Sequence, residues 1–272
     1  MNLFNIMSDI EKIDADANER FNFTRRKMLK TTAAAATASS FFFSGVINKA
    51  FAKTTDINDV LNFALLLEYL EAEFYTKGVA SGLNFGNSRG LFEEIAKHEN
   101  QHVALLKSAL GGAAIPKPEF DFTAKGMFPD PFSNYPVFLT LAQAFEDTGV
   151  RAYKGQAGNL AGNRDILETA LRIHSVEARH AGAIRLVRQL TPYANEGNNG
   201  SSNGGAPAAV YKGENNIYQM DGIDLIPKVK AKLLVQNADS EMKAEKYVRE
   251  SFDEPLTKEE VTAIAMPFIK MP

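Results

Sequence analysis

One pattern of four residues occurs twice in this chain of 272 residues, with the copies 78 positions apart. Glu68 is followed seven residues later by Tyr75, and then by Glu99 and His102 in Glu-Asn-Gln-His. Glu146 is followed seven residues later by Tyr153, and then by Glu177 and His180 in Glu-Ala-Arg-His. Glu to Glu is 31 residues in both copies. Offsets of three and seven return to the same face of an α-helix. Each copy therefore predicts two helices, one with Glu and Tyr on its inner stripe and one with Glu and His. A carboxylate amid Leu65, Leu66, Leu67 and Leu70 is costly to bury alone. Four of them facing one another are tolerable only with divalent cations between them, or with several protonated.

Composition narrows what those cations would meet. There is no cysteine, which excludes disulfides, thiolate metal sites, iron–sulfur clusters and a cysteine nucleophile. The four histidines are His98, His102, His174 and His180, all within the repeat. Oxygen and imidazole donors without sulfur suit iron, manganese or zinc. The net charge of −3, with no long Lys/Arg stripe, argues against nucleic acid as a partner.

Residues 1–52 read as a leader rather than as part of the fold. Thr24-Arg25-Arg26-Lys27-Met28-Leu29-Lys30 is a twin-arginine spelling, followed by an uncharged stretch from Thr31 to Ile47. Ala50-Phe51-Ala52 offers the small residues a signal peptidase reads. The stretch falls short of the ~20 strongly apolar residues of a membrane span. The likeness to twin-arginine signal peptides implies passage of the folded protein through that export machinery, to a bacterial periplasm or beyond. No cysteine follows the cleavage site to carry a lipid, so no stable membrane anchor is expected.

Along the remaining chain the apolar spacing predicts four long helices within residues 53–193. The first begins near Asp56 or Asp59 and ends near Val79. The second begins after Asn87 or Ser88 and stops at Gly111-Gly112. A connection from Ala113 to about Asn134, with four prolines and no helical period, exceeds ordinary loop length. The third helix runs from Tyr135 or Pro136 to near Gly155. The fourth is capped by Asn163 and continues to Leu190, with Thr191-Pro192 ending it. Short loop, long loop, short loop is the order of a four-helix bundle of the ferritin-like kind with a long crossover after the second helix. Residues 194–272 form an extension: a Gly/Asn/Ser-rich stretch, a weakly periodic segment, and a last short helix opened by the capping box Thr257-Lys258-Glu259-Glu260. The extension is expected to pack on the bundle, burying Ile217, Leu225, Ile226, Phe268 and Ile269.

The doubled Glu and Glu-x-x-His set resembles the ferritin-like superfamily over about Ile57 to Gln189. Leu-Glu-Tyr-Leu-Glu-Ala-Glu-Phe-Tyr (67–75) is similar to the periplasmic ferritin-like group that includes desiccation-related proteins. The resemblance implies two metal ions, iron foremost and manganese as the alternative. Glu68 and Glu146 would be terminal carboxylates, Glu99 and Glu177 would bridge the ions, and His102 and His180 would bind one ion each. Tyr75 and Tyr153 match tyrosines near enough to hydrogen-bond a ligand or donate an electron. The function implied is redox chemistry with dioxygen or hydrogen peroxide in oxidative or desiccation stress. A manganese catalase-like enzyme and a non-catalytic protective metal-binding protein are the alternatives, and a homo-oligomer is compatible with all three. Glu71 has Gly149 as its counterpart and is expected behind the ligands or in solvent. Glu73, Glu93 and Glu94 read as a solvated face. His98 is as readily an orienting group as a surface residue, and His174 reads as surface. Asp147, about 100° from the inner stripe, is expected to point away from it. The aromatic crossover (Phe120, Phe122, Phe128, Phe132, Tyr135) is expected to pack along the bundle.

Overall fold

The computed structural model describes residues 56–194, 205–219, 223–224, 227 and 240–270. The expected leader and most of the Gly/Asn-rich stretch lie outside the described residues, as do Leu225 and Ile226. Six α-helices occur among the described residues: α1 (Ile57–Ala80), α2 (Arg89–Leu110), α3 (Tyr135–Ala157), α4 (Arg164–Val187), α5 (Ser240–Arg249) and α6 (Lys258–Ala265). A ladder of two residues per strand, β1 (Tyr218–Gln219) against β2 (Ile223–Asp224), is antiparallel. The residues fall into two compact units. One holds the stretch ending at Ala80, with Phe85–Glu119 and Gln156–Ile173; the other holds Ser81–Asn84, Phe120–Gly155 and the chain from His174 onward.

In the first unit α1 and α2 pack along their lengths. Asp56 opens α1, its carboxylate accepting the Asn58 N–H at 2.9 Å. Val60, Phe63, Leu67, Leu70 and Phe74 of α1 are buried, as are Leu91, Phe92, Ile95, Leu106 and Leu110 of α2. The start of the crossover lies on the outer side of α1. Asn62 donates to the Ala113 carbonyl at 2.9 Å and accepts the Ile115 N–H at 2.9 Å. Tyr69 donates to the Ile115 carbonyl at 3.3 Å, and Lys117 pairs with Glu73. Lys117 and Lys77 hold the Glu73 carboxyl below its ordinary range in spite of partial burial. Glu73 is therefore a paired rather than a merely solvated carboxylate.

In the second unit the rest of the crossover folds onto α3 and the end of the chain. The Asp121 N–H donates to the Phe268 carbonyl at 2.7 Å, and Phe120 forms an isolated bridge with Ile269. The Phe145 ring lies edge-on to Phe268 at 5.0 Å, and Phe122 edge-on to Phe132 at 5.4 Å. The aromatic crossover thus packs as expected, and Phe268 is buried with it.

Helix ends follow the expected caps with one exception. Asn163 accepts the Ile166 N–H at 3.2 Å and opens α4. The regular part of α4 stops at Val187, before the expected Leu190. Gln189 takes a left-handed conformation (φ 59°), with Leu190 donating to the Arg185 carbonyl at 2.8 Å and Gln189 to Leu186 at 3.0 Å. That pairing of main-chain bonds terminates the helix without any help from Pro192. Among its described residues the extension shows α5 beside the expected last helix, and the sparse apolar content of α5 gives it no period to read.

Both bonds of the Thr257–Glu260 capping box are present: Glu260 N–H to Thr257 Oγ1 at 3.2 Å, and Thr257 N–H to Glu260 Oε2 at 2.9 Å. Lys212 adds an ion pair to Glu260. The Lys212 bond and the Thr257 contacts hold the Glu260 carboxyl down to about 2, against an ordinary value of 4.5. A depressed carboxyl favours the folded cap above 4.5, and that contribution is lost as pH falls through about 2. The Thr257 amide proton shift should therefore titrate with a midpoint near 2 in solution NMR. A midpoint near 4.5 would mean that the cap and its lysine partner do not form.

Gly155 marks where the extension crosses α3. A Cβ there would lie 2.0 Å from the Leu256 carbonyl oxygen, and the Leu256 N–H donates to the Arg151 carbonyl at 3.2 Å. Gly155→Ala should cost about 1–3 kcal/mol in urea unfolding, because two backbones must separate to admit the methyl group. An unchanged unfolding midpoint would show that the extension does not sit there.

Candidate metal centre

The two copies of the repeat place equivalent residues on equivalent helices. In the first unit α1 presents Glu68, and α2 presents Glu99 and His102. The His102 Nδ1 lies 3.2 Å from Glu68 Oε2 and 3.1 Å from Glu99 Oε2. Glu68 and Glu99 are fully buried and His102 nearly so. Burial pushes the Glu68 carboxyl up to about 7; the His102 charge and hydrogen bond oppose this, and Glu99 reinforces it.

In the second unit α3 presents Glu146, and α4 presents Glu177 and His180. The His180 Nδ1 lies 3.1 Å from Glu146 Oε2, and all three residues are fully buried. The imidazole–glutamate contact spans 34 residues in both copies. The repeat in sequence is thus a repeat in geometry, with the same ring nitrogen turned toward the same carboxylate.

Ligand atoms of Glu68, Glu99, His102 and Glu177 lie within 4.8 Å of one another, and so do those of Glu99, Glu146, Glu177 and His180. These buried Glu and His groups could hold metal ions. Four carboxylates out of water have a charge of −4 if ionised, which two divalent ions would balance, and neutral imidazoles complete a set with no soft donor. The residues present fit such a pair of ions.

Tyr75 and Tyr153 occupy matching positions on α1 and α3 and are buried. The Tyr75 ring stacks on Phe92 at 6.3 Å and meets Phe74 edge-on at 5.2 Å. Burial removes the exposed alternative for Glu71 and for His98, and a third neighbour, read as surface, departs from expectation. His174 is half-buried, with its Nδ1 2.9 Å from the Val150 carbonyl, and burial lowers its pKa. The apolar covering of the helices reaches further around α1, α2 and α4 than one face of each repeat implied.

Asp147 does point away from the inner stripe, into a buried polar network that sequence reasoning did not anticipate. Its Oδ2 accepts from Arg185 Nη2 at 2.6 Å and from the Tyr211 hydroxyl at 2.6 Å. Gln143 donates to the Tyr211 oxygen at 2.8 Å and accepts from Arg188 at 2.7 Å. Burial, with the Asp147 charge, pushes the Tyr211 hydroxyl far up, so it stays a donor throughout the physiological range. One step along the same face, the Arg151 guanidinium donates to the carbonyls of Glu254, Val210 and Lys212 and pairs with Glu214. The spacing of Gln143, Asp147 and Arg151, each one turn from the last, was the available signal for this second polar stripe.

Fold and site together define a predominantly helical protein with a buried carboxylate–imidazole cluster suited to metal ions. A family model described as "Ferritin-like domain" matches residues 56–190. Over those residues the chain is similar to that family, and its fold is an all-α ferritin-like bundle. A search of curated proteins finds no match. No helix among the described residues is long and apolar enough to cross a membrane.

Proposed function

We propose that the chain is an exported di-metal carboxylate protein, with iron as the leading occupant, that carries out redox chemistry with dioxygen or hydrogen peroxide under oxidative or desiccation stress. One observation carries the reading: Glu99 and Glu177 each belong to both four-residue groups, as bridging carboxylates would. Glu68 with His102, and Glu146 with His180, then complete one ion position each. A bound pair of redox-active ions supplies two-electron exchange with the oxidant.

The chain's own residues prepare for this. Glu68, pushed up to about 7 by burial, must give up its proton for an ion to bind, so loading releases protons. His102 and His180 turn Nδ1 toward the carboxylates, and ligation requires that nitrogen deprotonated. Leu65, Ile95, Leu141 and Ile184, all buried, line the helices that bear the ligands and help keep water out. Tyr75 and Tyr153 are proposed to hydrogen-bond a ligand or supply an electron. The twin-arginine spelling supports export in the folded state, with metal acquired before transport.

Elemental analysis of protein purified from its native host tests the reading, followed by oxygen-uptake and peroxide assays. Two irons per chain with peroxide or oxygen consumption is the expected result. Two manganese ions with dioxygen release from peroxide would instead indicate catalase-like chemistry. Bound metal inert to both oxidants would indicate a protective role without turnover.

A further inference from the structure

We propose that Tyr211, from the C-terminal extension, is a positioning residue for the Glu146–His180 half of the metal centre, acting through Asp147 and Arg185. The inference rests on the di-metal reading above. Glu146 and Asp147 are neighbours on α3, and Arg185 follows His180 by five residues on α4. The two helices are therefore tied at two levels. Glu146 meets His180 at 3.1 Å on the inner side, and behind it Asp147 takes the Arg185 fork at 2.6 and 3.4 Å. The second tie is completed from outside α3 and α4. Tyr211 donates to Asp147, accepts from Gln143, and places its ring 5.7 Å from the Arg185 guanidinium carbon.

Gln143, Asp147, Arg185 and Tyr211 are all buried, so water cannot replace a lost partner cheaply. Groups that orient ligands from behind typically change metal affinity 10–100-fold when removed. The first copy is held differently. The position 78 residues before Asp147 is Tyr69, which bonds a crossover carbonyl at 3.3 Å, and the position matching Arg151 is Glu73. The Asp147–Arg185–Tyr211 network thus belongs to one copy, since Tyr69 stands in the place of Asp147 in the other, so a defect in the network should act on one ion alone.

The test is titration of the metal-free full-length protein with Co²⁺, read by calorimetry and by the visible bands of the bound ion. The wild type should take up two ions. Tyr211→Phe should weaken one of them by about tenfold and leave the other unmoved. The step weakened should be the one that His180→Ala removes. Arg185→Lys, which keeps the charge but lacks the fork, should show the same selective loss and serves if Tyr211→Phe does not fold. Tyr69→Phe, the matching change in the first copy, should leave both steps intact. Wild-type affinity for both ions in Tyr211→Phe or Arg185→Lys overturns this inference alone, as does equal weakening of both steps. A wild type that takes up fewer than two ions overturns the di-metal reading and this inference with it.

Discussion

Glu177→Ala should lower metal binding from two ions per chain to one or fewer. The carboxylate of Glu177 lies within reach of both ligand groups, so its loss removes a donor from each ion position rather than thinning one. The residue is fully buried and no solvent-exposed side chain can take its place. The variant should nonetheless fold, because removing one of four crowded carboxylates relieves repulsion in the metal-free state. The two effects separate in a thermal melt. Metal at a hundredfold excess over its dissociation constant stabilises a single-site binder by about 2.7 kcal/mol, and the wild type should gain at least that much. Glu177→Ala should melt no lower than wild type without metal and gain far less with it. Two ions still bound to Glu177→Ala would remove the bridging role. Glu99→Ala should behave alike, since Glu99 holds the equivalent place in the other copy.

Arg151→Ala should cost on the order of 3–5 kcal/mol, the range seen when one member of a buried ion pair is deleted. Arg151 is 2% exposed. Its removal would strand three carbonyls that accept from it, and Glu214 would lose its counter-charge at 2.9 Å. Burial already pushes the Glu214 carboxyl up to about 7 despite the guanidinium, so without Arg151 it should shift further toward the protonated form. Against a typical domain stability of about 5–15 kcal/mol such a loss is severe. Urea unfolding measures it, and limited proteolysis should show residues 205–219 and 251–256 cleaved first. Arg151→Lys should recover only part, because a single ammonium cannot reach carbonyls from three directions. A midpoint unchanged in Arg151→Ala would mean that the extension is held by other contacts.

The legible parts of the molecule were those with a local physical signature. Asp56, Asn163 and Thr257 declare helix starts through side-chain oxygens, and all three caps form. The six proposed ligand residues were legible because a doubled interval is hard to produce except by two equivalent hairpins. The Schellman-type end of α4 was not, since nothing about Gln189 announces a left-handed residue. Helix α5 buries Ala244 and Val248, too little apolar surface to set a period. For Glu71 and His98 the sequence leaves burial and exposure both open, because their counterparts, Gly149 and Val176, offer no symmetry to decide between them. The network behind Asp147 joins residues 38 and 64 positions apart, and no helical spacing reports a bond of that range.

The grip on the extension has a further consequence for how this protein tolerates change. Arg151 and Lys154 hold main-chain oxygens of Val210, Lys212, Glu254 and Asp253, and the Leu256 amide meets a main-chain oxygen of α3. A clasp made to the backbone is indifferent to which amino acids pass through it. Positions such as Lys212 and Glu254 could be rewritten with the clasp intact, provided that Tyr211 and Glu214, whose side chains make bonds of their own, are kept. The same licence does not extend to α3, where Arg151 supplies the hand and Gly155 the opening.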